Sequence, residues 1–227
     1  MKRGFSILAI VTALLLSFAL YEALIAAPTE RTMGDVQRIF YYHVPSAWTA
    51  FLLFLINFVA SVVFLIRRDT KADILALVTA EVGVVFCTVV MATGPIWARP
   101  VWGIWWTWDL RLTLTLVLWL IYVSYLVLRR FSTSSQTPVL AAVLAIFGAL
   151  DVPLVYFSIW FFRTQHPSPV IGGGGSLDPR MAHVLLINWA AFLCLAWLVC
   201  WTRFRLEVLE REVEEAQALE SLLEGSR

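Results

Sequence analysis

The chain has 227 residues, 60% of them hydrophobic and 15% charged, with a mean hydropathy of +0.80 and a formal net charge of +1. A soluble domain carries about a quarter charged residues and a nucleic-acid surface needs an excess of Lys and Arg, so the composition argues against both. Cys87, Cys194 and Cys200 stand singly in apolar runs, with no CxxC or CxxCH pairing; this removes support for structural zinc, a disulfide framework and thioether attachment of a prosthetic group.

Crossing about 30 Å of hydrocarbon takes roughly 20 apolar residues at about 1.5 Å of helical rise each. Six segments qualify, at residues 5–27, 47–66, 74–93, 112–128, 138–162 and 182–202. The predicted fold class is therefore an all-α integral membrane protein of six transmembrane helices. The first segment follows Lys2 and Arg3 and is longer than the 7–15-residue apolar core typical of a signal peptide, so it reads as an uncleaved span.

Basic residues alternate in density along the chain. Dense clusters occur at Lys2 and Arg3, at Arg67, Arg68 and Lys71, at Arg129 and Arg130, and at Arg203, Arg205 and Arg211. The intervening loops carry them thinly, at Arg31 and Arg38, at Arg99 and Arg111, and at Arg163 and Arg180. The positive-inside rule then predicts cytoplasmic N and C termini and three longer outward loops, near 28–46, 94–111 and 163–181. Glu22, Glu81 and Asp151 fall within spans, where lipid exposure of an aspartate costs about 2.5–3.5 kcal/mol at mid-membrane, so they are expected to face the bundle. The chain divides into a six-helix domain over 1–205 and a tail over 206–227. That tail holds seven glutamates, and its Leu206, Leu209, Val213, Ala216 and Leu223 recur at helical spacing. It reads as an amphipathic cytoplasmic helix, either solvated or docked on a partner.

All three histidines fall on the outward side. His43 stands in QRIFYYHVPSAW just before the second span, His166 in RTQHPSPVIGGGG in the third outer loop, and His183 at the opening of the sixth span. A single histidine at a membrane surface commonly has a structural role. Two on separate loops can clamp a metal from both faces, and imidazole is a good axial ligand for haem iron. The run Gly172–Gly175 after His166 is either a passive linker or a hinge for it.

Between the third and fourth spans lies GPIWARPVWGIWWTWDLRLT, with Trp97, Trp102, Trp105, Trp106 and Trp108 in one loop. Pro95 and Pro100 are expected to break up the loop ahead of a short interfacial helix over 101–109. On such a helix Trp102, Trp105 and Trp106 share a face at i, i+3 and i+4. The bland alternative is an aromatic belt anchoring the protein at the headgroups. Five indoles in one loop favour a stacking platform for a flat ligand, with Arg99 and Arg111 placed to pair with its carboxylates.

The stretches GPIWARPVWGIWWTWDLRLT and QRIFYYHVPSAW together resemble CcmC, a family of tryptophan-rich haem-handling membrane proteins of cytochrome c maturation. The WGxxWxWD core of that family is met by Trp102, Gly103, Trp106, Trp108 and Asp109. The resemblance implies haem b bound non-covalently on the outer face of the bacterial inner membrane, over the tryptophan loop. It implies His43 from the first outer loop and His166 from the third as axial ligands of the iron, with His183 the other candidate for the second ligand. The loop residues Trp97, Arg99, Trp102, Gly103, Trp105, Trp106, Trp108, Asp109 and Arg111 complete the implied site. The implied task is presentation of haem to the chaperone CcmE, alongside CcmD and the ABC transporter subunits CcmA and CcmB. The chain has no Walker motif and no evident nucleophile, so it is expected to be no enzyme, with ATP hydrolysis left to a partner. A transmembrane electron-transfer cytochrome b or a solute permease are the rival classes. The first normally needs histidine pairs inside the spans, and the second needs more polar groups at mid-depth.

Overall fold

A computed structural model describes residues 2–162, 165–167 and 177–225; Arg163 and the run Gly172–Gly175 lie outside them. The described residues form six long helices and no strand ladder. These are α1 (Lys2–Tyr21), α2 (Phe40–Arg67), α3 (Thr70–Trp102), α4 (Leu110–Phe131), α5 (Thr137–Phe161) and α6 (Pro179–Gly225). Each is long and apolar enough to cross a membrane, so the chain is a multi-pass membrane protein. A π-turn, Glu22–Ala26, closes α1, and a 3-10 turn, Asp35–Ile39, leads into α2.

Helices α2 and α3 form a tight hairpin. Arg68 adopts the left-handed conformation at φ 55° and returns its N–H to the Phe64 carbonyl, while the Asp69 carboxylate caps α3 through the Lys71 N–H at 3.0 Å. Without a hydrophobic drive between helices in lipid, close approach depends on small residues. A Cβ at Gly83 would sit 2.7 Å from the Phe54 ring, and one at Gly148 2.8 Å from Ile121; these glycines bring α3 onto α2 and α5 onto α4. In the core the Phe54 and Tyr122 rings stack at 3.8 Å, and Asn57 donates to the Ala76 carbonyl at 2.7 Å. Asn188 of α6 reaches back to the Ala19 carbonyl and joins α6 to α1.

Two ends of the bundle carry different chemistry. At one end Asp73, only 3% exposed, accepts from Arg129 of α4 and from Arg211 of α6, each at 2.9 Å. Arg203 forks onto both oxygens of Glu81 at 2.9 and 3.0 Å, and Glu207 accepts from Arg211 at 3.0 Å. Glu81 thus has its partner within the bundle. Asp151 is buried in α5, and its Oδ2 finds no hydrogen bond. Helix α6 runs without interruption through residue 205 to Gly225, and from Glu212 to Glu224 every side chain is exposed.

The connection between the third and fourth spans departs from expectation. No short helix forms over 101–109. Instead α3 continues through Pro95 and Pro100 as far as Trp102, and only residues 103–109 leave helical structure before α4 begins. A proline removes one helical hydrogen bond and crowds one carbonyl, a loss that membrane helices absorb when neighbouring helices hold them. Here α2 holds the extension, with Phe40 against Trp97 at 6.1 Å.

Candidate functional site

The other end of the bundle gathers the start of α2, the last turns of α3, the start of α4 and residues 165–167. His43 lies within the first turns of α2 rather than ahead of it, 8% exposed. Its Nδ1 is 2.9 Å from the Thr93 hydroxyl of α3, and its ring meets Trp97 edge-on at 5.9 Å. The bare Gly94 backbone lets the ring lie close, since a Cβ there would come within 3.4 Å of His43 Cε1. His43 is therefore supported by Thr93, the last residue of the expected third span, and by Trp97 in the part of α3 that the sequence assigned to a loop.

His166 comes to the same place from the far side. Its Nδ1 is 2.9 Å from the Pro167 carbonyl; because a carbonyl only accepts, Nδ1 carries the proton and Nε2 the lone pair. The His43 and His166 ring centres are 6.5 Å apart, their planes inclined by 33°. A metal gripped between two imidazole nitrogens at about 2.0–2.1 Å each sets ring centres roughly 6 Å apart, so the pair has the spacing of two ligands on one ion. Burial, followed by the positive charge of Arg111, pushes the His166 imidazole down to about 4, against a backbone hydrogen bond to Pro167 and the Asp109 charge that pull it up. A neutral imidazole is the form that binds iron.

Asp109 holds the two loops together. Its Oδ1 caps α4 by accepting the Leu112 N–H at 3.0 Å. Its Oδ2 accepts from Thr107 Oγ1 at 3.1 Å and from the Gln165 N–H at 3.3 Å. An aspartate just before an apolar run is a recognisable helix cap, but the tie to Gln165, which sets His166 beside it, has no sequence signal. Arg99 donates to the Gly103 carbonyl, and Gly103, at φ 78°, returns its N–H to the Arg99 carbonyl at 3.0 Å. These two residues form the stop of α3, where only glycine takes the left-handed backbone without strain.

The five tryptophans do not share one face. Trp97 packs beside His43, Trp102 ends α3 half-buried, and Trp106 stands half-buried with its ring 5.8 Å from Trp108. Trp105 and Trp108 point outward, 58% and 76% exposed. The reason is the chain path. Beyond Gly103 the chain leaves helical structure and bends at Trp105, so Trp102, Trp105 and Trp106 have no common helical face on which the i, i+3 and i+4 spacing could align them. His183 is exposed on α6.

Three buried donors near this pair have no hydrogen-bond partner among the described residues: Trp97 Nε1, Trp106 Nε1 and Arg111 Nη1. A buried donor without a partner costs about 1–3 kcal/mol, more when charged. Unpartnered buried polar atoms occur elsewhere in the bundle too, but these three include a charged guanidinium N–H, the costliest kind to leave unmatched. The sequence singled out all three residues. It missed Thr93, which lies just ahead of the GPIW stretch, and gave no role to Gly94 within that stretch.

The family described as Heme exporter protein C matches residues 1–219. The chain belongs to the CcmC family. It is 35% identical over 217 residues to the Heme exporter protein C of Bradyrhizobium diazoefficiens, covering 94% of this chain and 82% of that protein. Against the Heme exporter protein C of Escherichia coli strain K12 it is 30% identical over 202 residues, covering 88% and 82%. A putative cytochrome c biosynthesis ccmC-like mitochondrial protein of Marchantia polymorpha is 31% identical over 182 residues, covering 80% and 78%. These CcmC relatives match most of the chain, and they agree with the family that its histidine and tryptophan segments resemble.

Proposed function

We propose that this protein binds haem b non-covalently at the outer face of the bacterial cytoplasmic membrane and presents it to the chaperone CcmE in cytochrome c maturation. The observation that carries this reading is the pairing of His43 and His166 at 6.5 Å, beside buried donors that lack partners. Nε2 of each histidine would take the iron axially. Trp97 would pack edge-on beside the His43 ligand, and Trp106 would add apolar area against the porphyrin. The Arg111 guanidinium, with an unpaired buried N–H, would meet a propionate. Arg99, Gly103 and Asp109 serve this site by fixing the loop, and exposed Trp105 and Trp108 offer the surface on which a carrier could close. Haem is cargo here; the chain supplies binding and orientation.

The charge pattern supports the orientation. The Arg129 end carries the dense basic clusters, which supports a cytoplasmic position for it and both termini and an outward one for the His43 end. Membership of the family also supports CcmD and the transporter subunits CcmA and CcmB as partners, with ATP hydrolysis in that pair and none in this chain.

The test is an absorption spectrum of the detergent-purified protein, read for wild type, His43→Ala and His166→Ala. Wild type should show the low-spin spectrum of a bis-imidazole haem, and acid-acetone should extract the pigment. Each alanine variant should lose the low-spin bands. Unchanged spectra in both variants would remove the ligand pair, and haem that resists extraction would remove the non-covalent mode.

A further inference from the structure

We infer that Thr93 is a positioning residue for His43, fixing the tautomer that presents Nε2 to the iron. This rests on the haem reading above and adds a residue outside the tryptophan and histidine motifs. The argument counts hydrogens. A threonine hydroxyl has one proton to give and two lone pairs to accept with. The Thr93 hydroxyl lies 2.6 Å from the Val89 carbonyl one turn back on α3, and that carbonyl accepts its proton. Nothing remains for Thr93 to donate to His43, 2.9 Å away. His43 Nδ1 must therefore be the donor, and a neutral imidazole with a proton on Nδ1 carries its lone pair on Nε2.

The same tautomer holds on the opposite side of the gap, where His166 donates from Nδ1 to the Pro167 carbonyl. Both imidazoles are thus anchored through Nδ1, His43 by a side chain of α3 and His166 by the backbone. The Thr93 contact has a second consequence. A hydrogen bond from the distal N–H of a ligating histidine raises the basicity of the metal-bound nitrogen, and loss of such a partner typically lowers metal affinity by about 10–100-fold. Rotation of the His43 ring is also limited, because Trp97 lies edge-on against it. The hydroxyl therefore chooses which nitrogen is protonated, while packing chooses where the ring stands.

Thr93→Val keeps the shape and removes the acceptor; Thr93→Ser keeps the acceptor. In ligand-free protein carrying 15N-labelled histidine, His43 should be protonated on Nδ1 in wild type and in Thr93→Ser, and should lose that preference in Thr93→Val. With haem bound, Thr93→Val should raise the midpoint potential and weaken haem binding by about 10–100-fold, and Thr93→Ser should restore both. A wild-type His43 protonated on Nε2 in the ligand-free protein overturns the inference, whatever haem does. Loss of the low-spin spectrum in His43→Ala, with potential and affinity unchanged in Thr93→Val, overturns the role of Thr93 while leaving His43 a ligand. A low-spin spectrum that survives His43→Ala removes His43 as ligand, and with it both conclusions.

Discussion

The two ends of this bundle handle buried charge in opposite ways. At the Arg129 end, Asp73 is shared by two guanidinium groups, and Arg203 and Glu81 form a bidentate pair. At the His43 end, Arg111 keeps a buried N–H without a partner among the described residues, and the Trp97 and Trp106 indole N–H groups are in the same state. A protein tolerates unsatisfied buried donors only where something else compensates them. The difference teaches that the first end pairs its buried charges as folded and acts as a clasp across α3, α4 and α6. At the second, the proposed ligand would supply the missing acceptors.

The largest effect should come from breaking the clasp. Asp73→Asn leaves Arg129 a buried cation without its anion and Arg211 with Glu207 alone, a loss of about 3–5 kcal/mol when one partner of a buried pair is removed. Thermal unfolding in detergent should fall steeply, while the folded fraction binds haem with wild-type affinity; a wild-type melting curve would show that the clasp contributes nothing. Arg111→Met should behave in the opposite sense. Removing a buried donor that has no partner should leave the ligand-free protein as stable as wild type or more so. Haem affinity should drop about 10–100-fold, as for a charge-assisted hydrogen bond of about 1.5–3 kcal/mol. If that variant melts earlier with unchanged haem affinity, Arg111 is structural and the two ends are alike.

The smallest effect is on pH dependence. His166 is pushed down to about 4 by burial and by Arg111. A proton competes with iron for the imidazole only below that value, so the low-spin spectrum should persist as pH falls through the ordinary imidazole range and collapse in the region of 4. Arg111→Met removes the repelling charge, so the collapse should begin at higher pH. A wild-type spectrum that titrates away near 6.5 would contradict the burial of His166.

Much of the architecture was readable from the chain, because span length and hydropathy are sums over neighbouring residues. Six spans were expected and six helices formed, with His43, His166 and the tryptophan loop at one end. The reading failed where a local rule met a tertiary contact. Pro95 and Pro100 signal a break, yet α3 passes through both because α2 packs against it at Phe40 and His43. The alignment of Trp102, Trp105 and Trp106 on one face assumed a helix that stops at Gly103 instead.

By itself, the sequence determined that this is a membrane protein of six helices and which residue types collect at each end, since transfer free energy belongs to each side chain. Only the tertiary structure decided which of them meet. Thr93 and His43 are 50 positions apart, and Asp109 and Gln165 are 56 apart. A hydrogen bond requires donor and acceptor close together and in line, a condition set by helix packing and the path of the loops and by no pattern of neighbouring residues.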